Sequence, residues 1–208
     1  KIYITKQQAW QNNFTKSLVT TLGGTLEVGK SGLSIAGNYH LLNNYVYFDT
    51  VGRPQQENAP ISILQLSATL NWHWGIFHND NQLVFQQIEG SDAVRLPKVM
   101  SDHSVYVEGR LFKKVLTTRV GFDVRFQSEF KVDYYHPLIG QFIQQNREKV
   151  PVAVAIDFFF AAKVKTFRFF AKFDGLQTYF MQQRYYQTYL YPNFDQLFRT
   201  GIDWRFSK

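Results

Sequence analysis

The run Gly24-Thr-Leu-Glu-Val-Gly29-Lys30-Ser31 has the spacing of a phosphate-binding loop. In such a loop backbone N–H groups cradle phosphates while the lysine and hydroxyl reach their oxygens, and the chemistry requires a strand before the loop and a helix after it. Here Leu18, Leu22, Leu26 and Val28 alternate with Ser17, Thr21, Thr25 and Glu27, and Leu33-Ser-Ile-Ala-Gly37 begins a second strand. Lys30-Ser31-Gly32 therefore reads as a hairpin turn, and no nucleotide site is expected. Five histidines are the next candidates: His40 and His73 fall on polar faces, and His78, His103 and His136 near turns or loops. Their spacing does not bring several ligands to one metal ion. Cysteine is absent, which removes disulfides, Cys-ligated zinc and thiol catalysis. No Gly-x-Ser-x-Gly nucleophile elbow occurs either. The expectation is a protein that is not an enzyme, with no catalytic residue, no metal and no cofactor.

The remaining chemistry lies in charges spaced two apart. Arg119, Asp123, Arg125, Glu129, Lys131 and Asp133 share one face of an extended segment over 115–134, with Gln127 among them. The opposite face carries Val120, Phe122, Val124, Phe126, Phe130, Val132 and Tyr134. Arg168 and Lys172 repeat the pattern over 165–174, where Phe170 interrupts the polar side, as do Arg199, Asp203 and Arg205 over 196–206. Such ladders can line a wetted passage and bias which ions and solutes cross it, or pair with one another and fill an interior.

Period-two alternation of this kind marks strands with two chemically different faces. Further strands are expected over 15–28, 33–48, 61–76, 81–89, 103–112 and 151–162, with a less definite piece over 2–10, about ten in all. Short connections at Lys30–Gly32, His78–Asn81, Lys113–Lys114 and Lys163–Lys165 alternate with long ones at Val51–Pro60, Gly90–Asp102, His136–Val150 and Met181–Asp195. Short turns on one side and long loops on the other are the grammar of an antiparallel up-and-down transmembrane β-barrel. The chain is then all-β, a single barrel domain over residues 1–208. In this arrangement Trp72, Trp74, Phe167, Trp204 and Phe206 form an aromatic girdle at the short-turn end, and Tyr45, Tyr47 and Tyr134 one at the long-loop end. Tyr185, Tyr186, Tyr189 and Tyr191 crowd the last long loop.

Composition agrees. Mean hydropathy is −0.27 and aromatics are 17% of 208 residues. No apolar run approaches the roughly 18 residues of a membrane helix, and an alternating barrel strand would not show one. The formal charge of +7 is spread along the chain rather than clustered, so nucleic acid is not an expected partner. The absence of an initiator Met and of a signal peptide at Lys1 suggests a mature chain or a fragment.

The closing octad Arg199-Thr-Gly-Ile-Asp-Trp-Arg-Phe206 resembles the C-terminal assembly signal of bacterial outer-membrane barrels, with Arg199, Gly201, Trp204 and Phe206 carrying the pattern. From Arg95 onward the chain also resembles the "putative porin" family of Bacteroidota outer membranes. The residues are Arg95-Leu-Pro97 with His103-Ser-Val-Tyr106, Gly121-Phe-Asp-Val-Arg125, Tyr134-Tyr-His-Pro137 with Gly140-Gln-Phe142, Ile156-Asp-Phe-Phe159, Ala162-Lys-Val-Lys165 and Arg168-Phe-Phe-Ala-Lys172. The resemblance implies a barrel in the bacterial outer membrane of a Gram-negative organism, with transport by analogy and no cofactor. Family members are generally longer, which implies that these are the C-terminal strands of a larger barrel. The expected partners are outer-membrane lipid, the barrel assembly machinery during biogenesis, and a homo-oligomer or larger outer-membrane complex. Passive diffusion of small hydrophilic solutes through a charged lumen is the expected function; a non-conducting anchor or scaffold in a surface complex is the alternative.

Overall fold

The computed structural model describes residues 2–5, 8–180, 186–188, 191–192 and 196–206. Nine strands form one antiparallel sheet: β1 (Leu18–Val28), β2 (Leu33–Asn43), β3 (Ile61–Trp74), β4 (Phe77–Glu89), β5 (Val99–Leu111), β6 (Leu116–Gln127), β7 (Ala153–Val164), β8 (Phe167–Asp174) and β9 (Leu197–Trp204). Their order in space is their order in the chain, and β1 and β9 are its open edges among the described residues. The first seven strands have 11 to 14 residues, against about 5–6 in most soluble sheets and about 9–11 for a tilted crossing of a bilayer.

Three details differ from the sequence expectation. The sheet has nine strands because Ile2–Thr5 and Gln8–Trp10 pair with each other and not with β1. Trp10 instead meets Phe48 edge-on at 5.8 Å, beside a long loop. The turn between β3 and β4 falls at Gly75-Ile76, so His78 to Asn81 belong to β4. The run His-Asn-Asp-Asn has turn-forming composition, but Gly75 at φ 60° supplies the left-handed residue the chain uses. The long segment over 115–134 is broken after Gln127. Ser128 still exchanges bonds with Val99, its N–H donating to the Val99 carbonyl at 2.9 Å and its Oγ accepting the Val99 N–H at 3.1 Å. On the other side Pro151 precedes β7 and has no N–H to extend the ladder. Phe130–Lys131 and Tyr134–His136 then form small hairpins with Lys149–Val150 and Gln141–Ile143.

Two glycines lie where side chains cross the sheet. Gly121 of β6 stands between Tyr106 of β5 and Phe159 of β7, whose rings lie 6.1 Å apart; a Cβ at position 121 would overlap Tyr106 Cβ and the Val105 carbonyl oxygen. Phe170, the aromatic that interrupts the polar side of β8, lies over Gly201 of β9, where a Cβ would stand 2.6 Å from its Cζ.

The long loops converge at one end of the sheet, over its polar face. Ile61 and Ile63 of β3, which point to that face, form a buried cluster with Ala93, against which Leu42, Tyr45, Tyr47, Ile88 and Val94 pack. The Gln144 N–H donates to the Phe48 carbonyl at 2.9 Å, tying the loop after β6 to the loop after β2.

Replacing Gly121 with valine overfills a tight crossing and is expected to cost about 1–3 kcal/mol. Gly24→Val, where a Cβ meets nothing within 4 Å, is the control. Urea unfolding in lipid vesicles checks this, and equal stability of the two variants would contradict the crossing.

Candidate functional site

The polar face of β5 to β9 carries a connected set of charges. Strand register places Asp123 of β6 directly opposite both Ser104 of β5 and Asp157 of β7. Facing carboxylates repel, and the structure answers with cations from both sides. Lys172 Nζ of β8 stands 3.0 Å from Asp123 Oδ2, 3.2 Å from Asp157 Oδ2 and 3.7 Å from Asp174 Oδ1. Arg125 pairs with Asp157, and Arg199 of β9 reaches Asp174 at 2.6 Å. The Ser104 hydroxyl donates to Asp123 at 2.6 Å and the Gly175 N–H to Asp157 Oδ1 at 3.0 Å. Three acids thus meet three bases across four strands. Asp157, with only 1% of its side chain exposed, is the centre, and burial of that carboxylate is tolerable only because it is paired and hydrogen-bonded.

Arg119 pairs with Glu108 across β5 and β6 and lies over the Tyr106 ring, 5.3 Å from its centroid. Along the same row His73, His78 and Tyr106 stack on successive strands at 5.5 and 4.9 Å. Arg168 lies opposite Asp203, and Arg205, just past β9, reaches Asp203 at 3.8 Å. Glu129 and Lys131 lie beyond the end of β6. Glu129 pairs with Lys149 at 2.9 Å and Lys131 with Asp92 at 3.1 Å, so both join the loops rather than the strand ladder. Below the loops a cavity of about 390 Å³ is lined by Gln82, Met100, Asp102, Arg125, Gln127 and Ala155. Asp102 faces Arg125 in register, yet Arg125 is drawn to Asp157. Asp102, Gln82 and Gln127 make no side-chain hydrogen bond with another described residue.

The apolar face ends in aromatics at the short turns. Trp72 and Trp74 close β3, Phe167 opens β8 and lies 6.2 Å from Trp204, and Trp204 lies 4.6 Å from Phe206. At the other end Tyr45 and Tyr47 pack onto the Ile61–Ile63–Ala93 cluster. This departs from the girdle position expected of them, because β2 stops at Asn43 and the loop folds over the polar face. Tyr134 sits on a loop hairpin, 6.0 Å from His136. Of the four loop tyrosines, Tyr185 and Tyr189 lie outside the described residues; Tyr186 and Tyr191 fall on a short two-stranded pairing. His103 is not near a turn: it stands mid-strand on the apolar face, bonded to Asn81 at 2.8 Å and Ser101 at 3.1 Å. The phosphate-loop match is a strand that runs through Gly24 to Val28 and one 3-10 turn. No metal-holding cluster of His, Asp and Glu occurs among the described residues.

An alternating wall of this length, with a charge-balanced face, an aromatic-edged apolar face and turns shorter than loops, is the architecture of a membrane barrel. The family model described as "putative porin" matches residues 1–207. The chain belongs to that family. The structure is also similar to the FrpB iron transporter from Neisseria meningitidis (F3-3 variant), with a TM-score of 0.57 and 13% sequence identity over 91% of this chain and 31% of that one. The chain thus spans about a third of the transporter's length, and the likeness is one of fold. No curated protein sequence matches it. The fold is that of an outer-membrane β-barrel, and the porin family places it in the bacterial outer membrane.

Sequence reasoning missed Asp157 as a site residue. Its signal is a lone acid in the apolar run Ala153–Ala162. In the loops Arg95 is the counterpart: its guanidinium donates to the carbonyls of Gln145 at 2.6 Å and Asp92 at 3.1 Å and to Asn146 Oδ1 at 2.7 Å, and stands 3.5 Å from Asp133. Burial pushes the Asp133 carboxyl up, and Arg95 offsets only part of that. By contrast the Ser91 hydroxyl holds Glu57 below the usual range, outweighing the raising effect of burial.

A raised carboxyl pKa in the folded state means that ionising Asp133 weakens the folded loops, and that the loss appears as pH rises through the folded pKa. Asp133→Asn is therefore expected to slow hydrogen exchange of the Arg147 and Glu148 amides, which donate to Gln145 Oε1, at neutral pH. The difference from wild type should vanish below the usual carboxylate range. Faster exchange in the variant at neutral pH would show that attraction to Arg95 outweighs burial.

Proposed function

We propose that this chain forms part of the wall of a porin-like channel through which small hydrophilic solutes diffuse passively, with the polar face of the sheet lining the lumen. The observation that carries this is the run of ion pairs across one face of the sheet, from Glu108–Arg119 to Asp174–Arg199, leading to a cavity whose Gln82, Asp102 and Gln127 side chains have no partner among the described residues. The paired cations and anions set a field across the passage without a net charge to trap ions. Asp102, exposed and outside the paired set, is the charge at this cavity that a passing solute meets. No step of chemistry is needed; the chain's part is to hold the charges in place.

A second reading has its own support. The loops after β2, β4 and β6 fold together over the polar face, which would suit a closed barrel that anchors or scaffolds a surface complex. Barrel width decides between them, since about 8 strands leave an interior that side chains fill and 16–18 an aqueous channel. The nine strands here are a lower bound on the ring.

The full-length protein in planar bilayers is expected to conduct, and Asp102→Lys to shift the reversal potential toward anions while changing stability by less than about 0.5 kcal/mol, as for an exposed position. Absence of conductance would favour the anchor; conductance with unchanged selectivity would remove Asp102 from the path.

A further inference from the structure

The two ends of the sheet differ in charge. The described long loops, 44–60, 90–98 and 128–152, hold six acids (Asp49, Glu57, Asp92, Glu129, Asp133 and Glu148) and six bases (Arg53, Arg95, Lys98, Lys131, Arg147 and Lys149). The short turns hold Lys30, Lys113, Lys114 and Lys165, with Arg205 just past β9, and no acid. A neutral end and a basic end are therefore built into one sheet.

The backbone adds an independent observation. Phe112, Lys113 and Lys114 are three consecutive residues in the left-handed region, at φ 50°, 55° and 72°, and Lys165 stands at φ 50°. The turn closes with the Val115 N–H donating to the Phe112 carbonyl at 3.2 Å. Glycine, asparagine and aspartate occupy such positions at least steric cost, and two-residue hairpins prefer Asn-Gly. Side chains kept in a strained conformation cluster where they serve a function. Lys113, Lys114 and Lys165 are exposed and make no ion pair or hydrogen bond among the described residues, so intramolecular pairing does not explain them.

The third observation is height. Phe112 is 76% exposed, Trp74 79% and Phe206 80%, and each lies at a turn or strand end on this side. Aromatic side chains of this kind sit at headgroup level, which puts the turn lysines level with lipid phosphates.

We propose that the short-turn end of the sheet is a binding surface for the headgroups of anionic phospholipids in the leaflet it faces, with Lys113, Lys114 and Lys165 as its cations. A basic group near an anionic surface attracts it with an energy that corresponds to about a five-fold preference per lysine. The full-length protein, purified and placed in mixed phosphatidylglycerol and phosphatidylcholine, is expected to retain phosphatidylglycerol preferentially, as read by native mass spectrometry of bound lipid. K113N/K114G installs the favoured turn, so its thermal unfolding should be unchanged or raised while the preference falls about five-fold per lysine removed. K113R/K114R should keep it. Equal retention of the two lipids by wild type, a preference unchanged in K113N/K114G, or one lost equally in K113R/K114R would each overturn the proposal.

Discussion

A backbone N–H or carbonyl left without a partner in hydrocarbon costs several kcal/mol, so a chain that crosses a bilayer as strands must satisfy every such group from its neighbours. The continuous ladders from β1 to β9 meet that condition for all but the two edges. The rest of the molecule follows from it. Long, fully paired strands have alternating side chains, so one face must suit lipid and the ion pairs are confined to the other. Charges gathered on one face cannot disperse into bulk water, and they neutralise one another across the strands.

That neutralisation is specific. Two carboxylates, Asp123 and Asp157, face each other on adjacent strands, a placement that would be unfavourable alone. Lys172 and Arg125 make it favourable, and Arg199 takes up Asp174, which Lys172 only partly covers. Commitment of Arg125 to Asp157 leaves Asp102 exposed above, beneath the loops. The same logic runs through the loops, where Arg95 gathers three segments around a carboxylate that burial makes reluctant to ionise. The short turns lack any such compensation, and Lys113, Lys114 and Lys165 remain exposed.

The strand type of the molecule was legible residue by residue, because a period of two is a local property and persists however the strands pair. Strand ends were not. Over 115–134 the alternation continues past Gln127, but the strand stops there since β5 begins at Val99, which already bonds to Ser128, and Pro151, just before β7, has no N–H to donate. His78 to Asn81 have turn composition and yet lie in β4, held by register with β3 and β5. Phe170 breaks the polar pattern of β8 for a reason found only on the next strand, where Gly201 leaves room beneath its ring.

The sequence alone determined the alternation, the apolar and polar faces, the lengths suited to a membrane and the aromatic strand ends, all of which depend on neighbours along the chain. Tertiary structure alone decided which charges meet. Asp123, Asp157, Lys172 and Arg199 are far apart in sequence and share a site only through the register of β6 to β9. It also decided that Tyr45 and Tyr47 turn onto the Ile61 cluster instead of the lipid-facing band. Register and loop return are set by long-range pairing, and no local pattern of residues encodes a contact between strands until both are placed in the sheet.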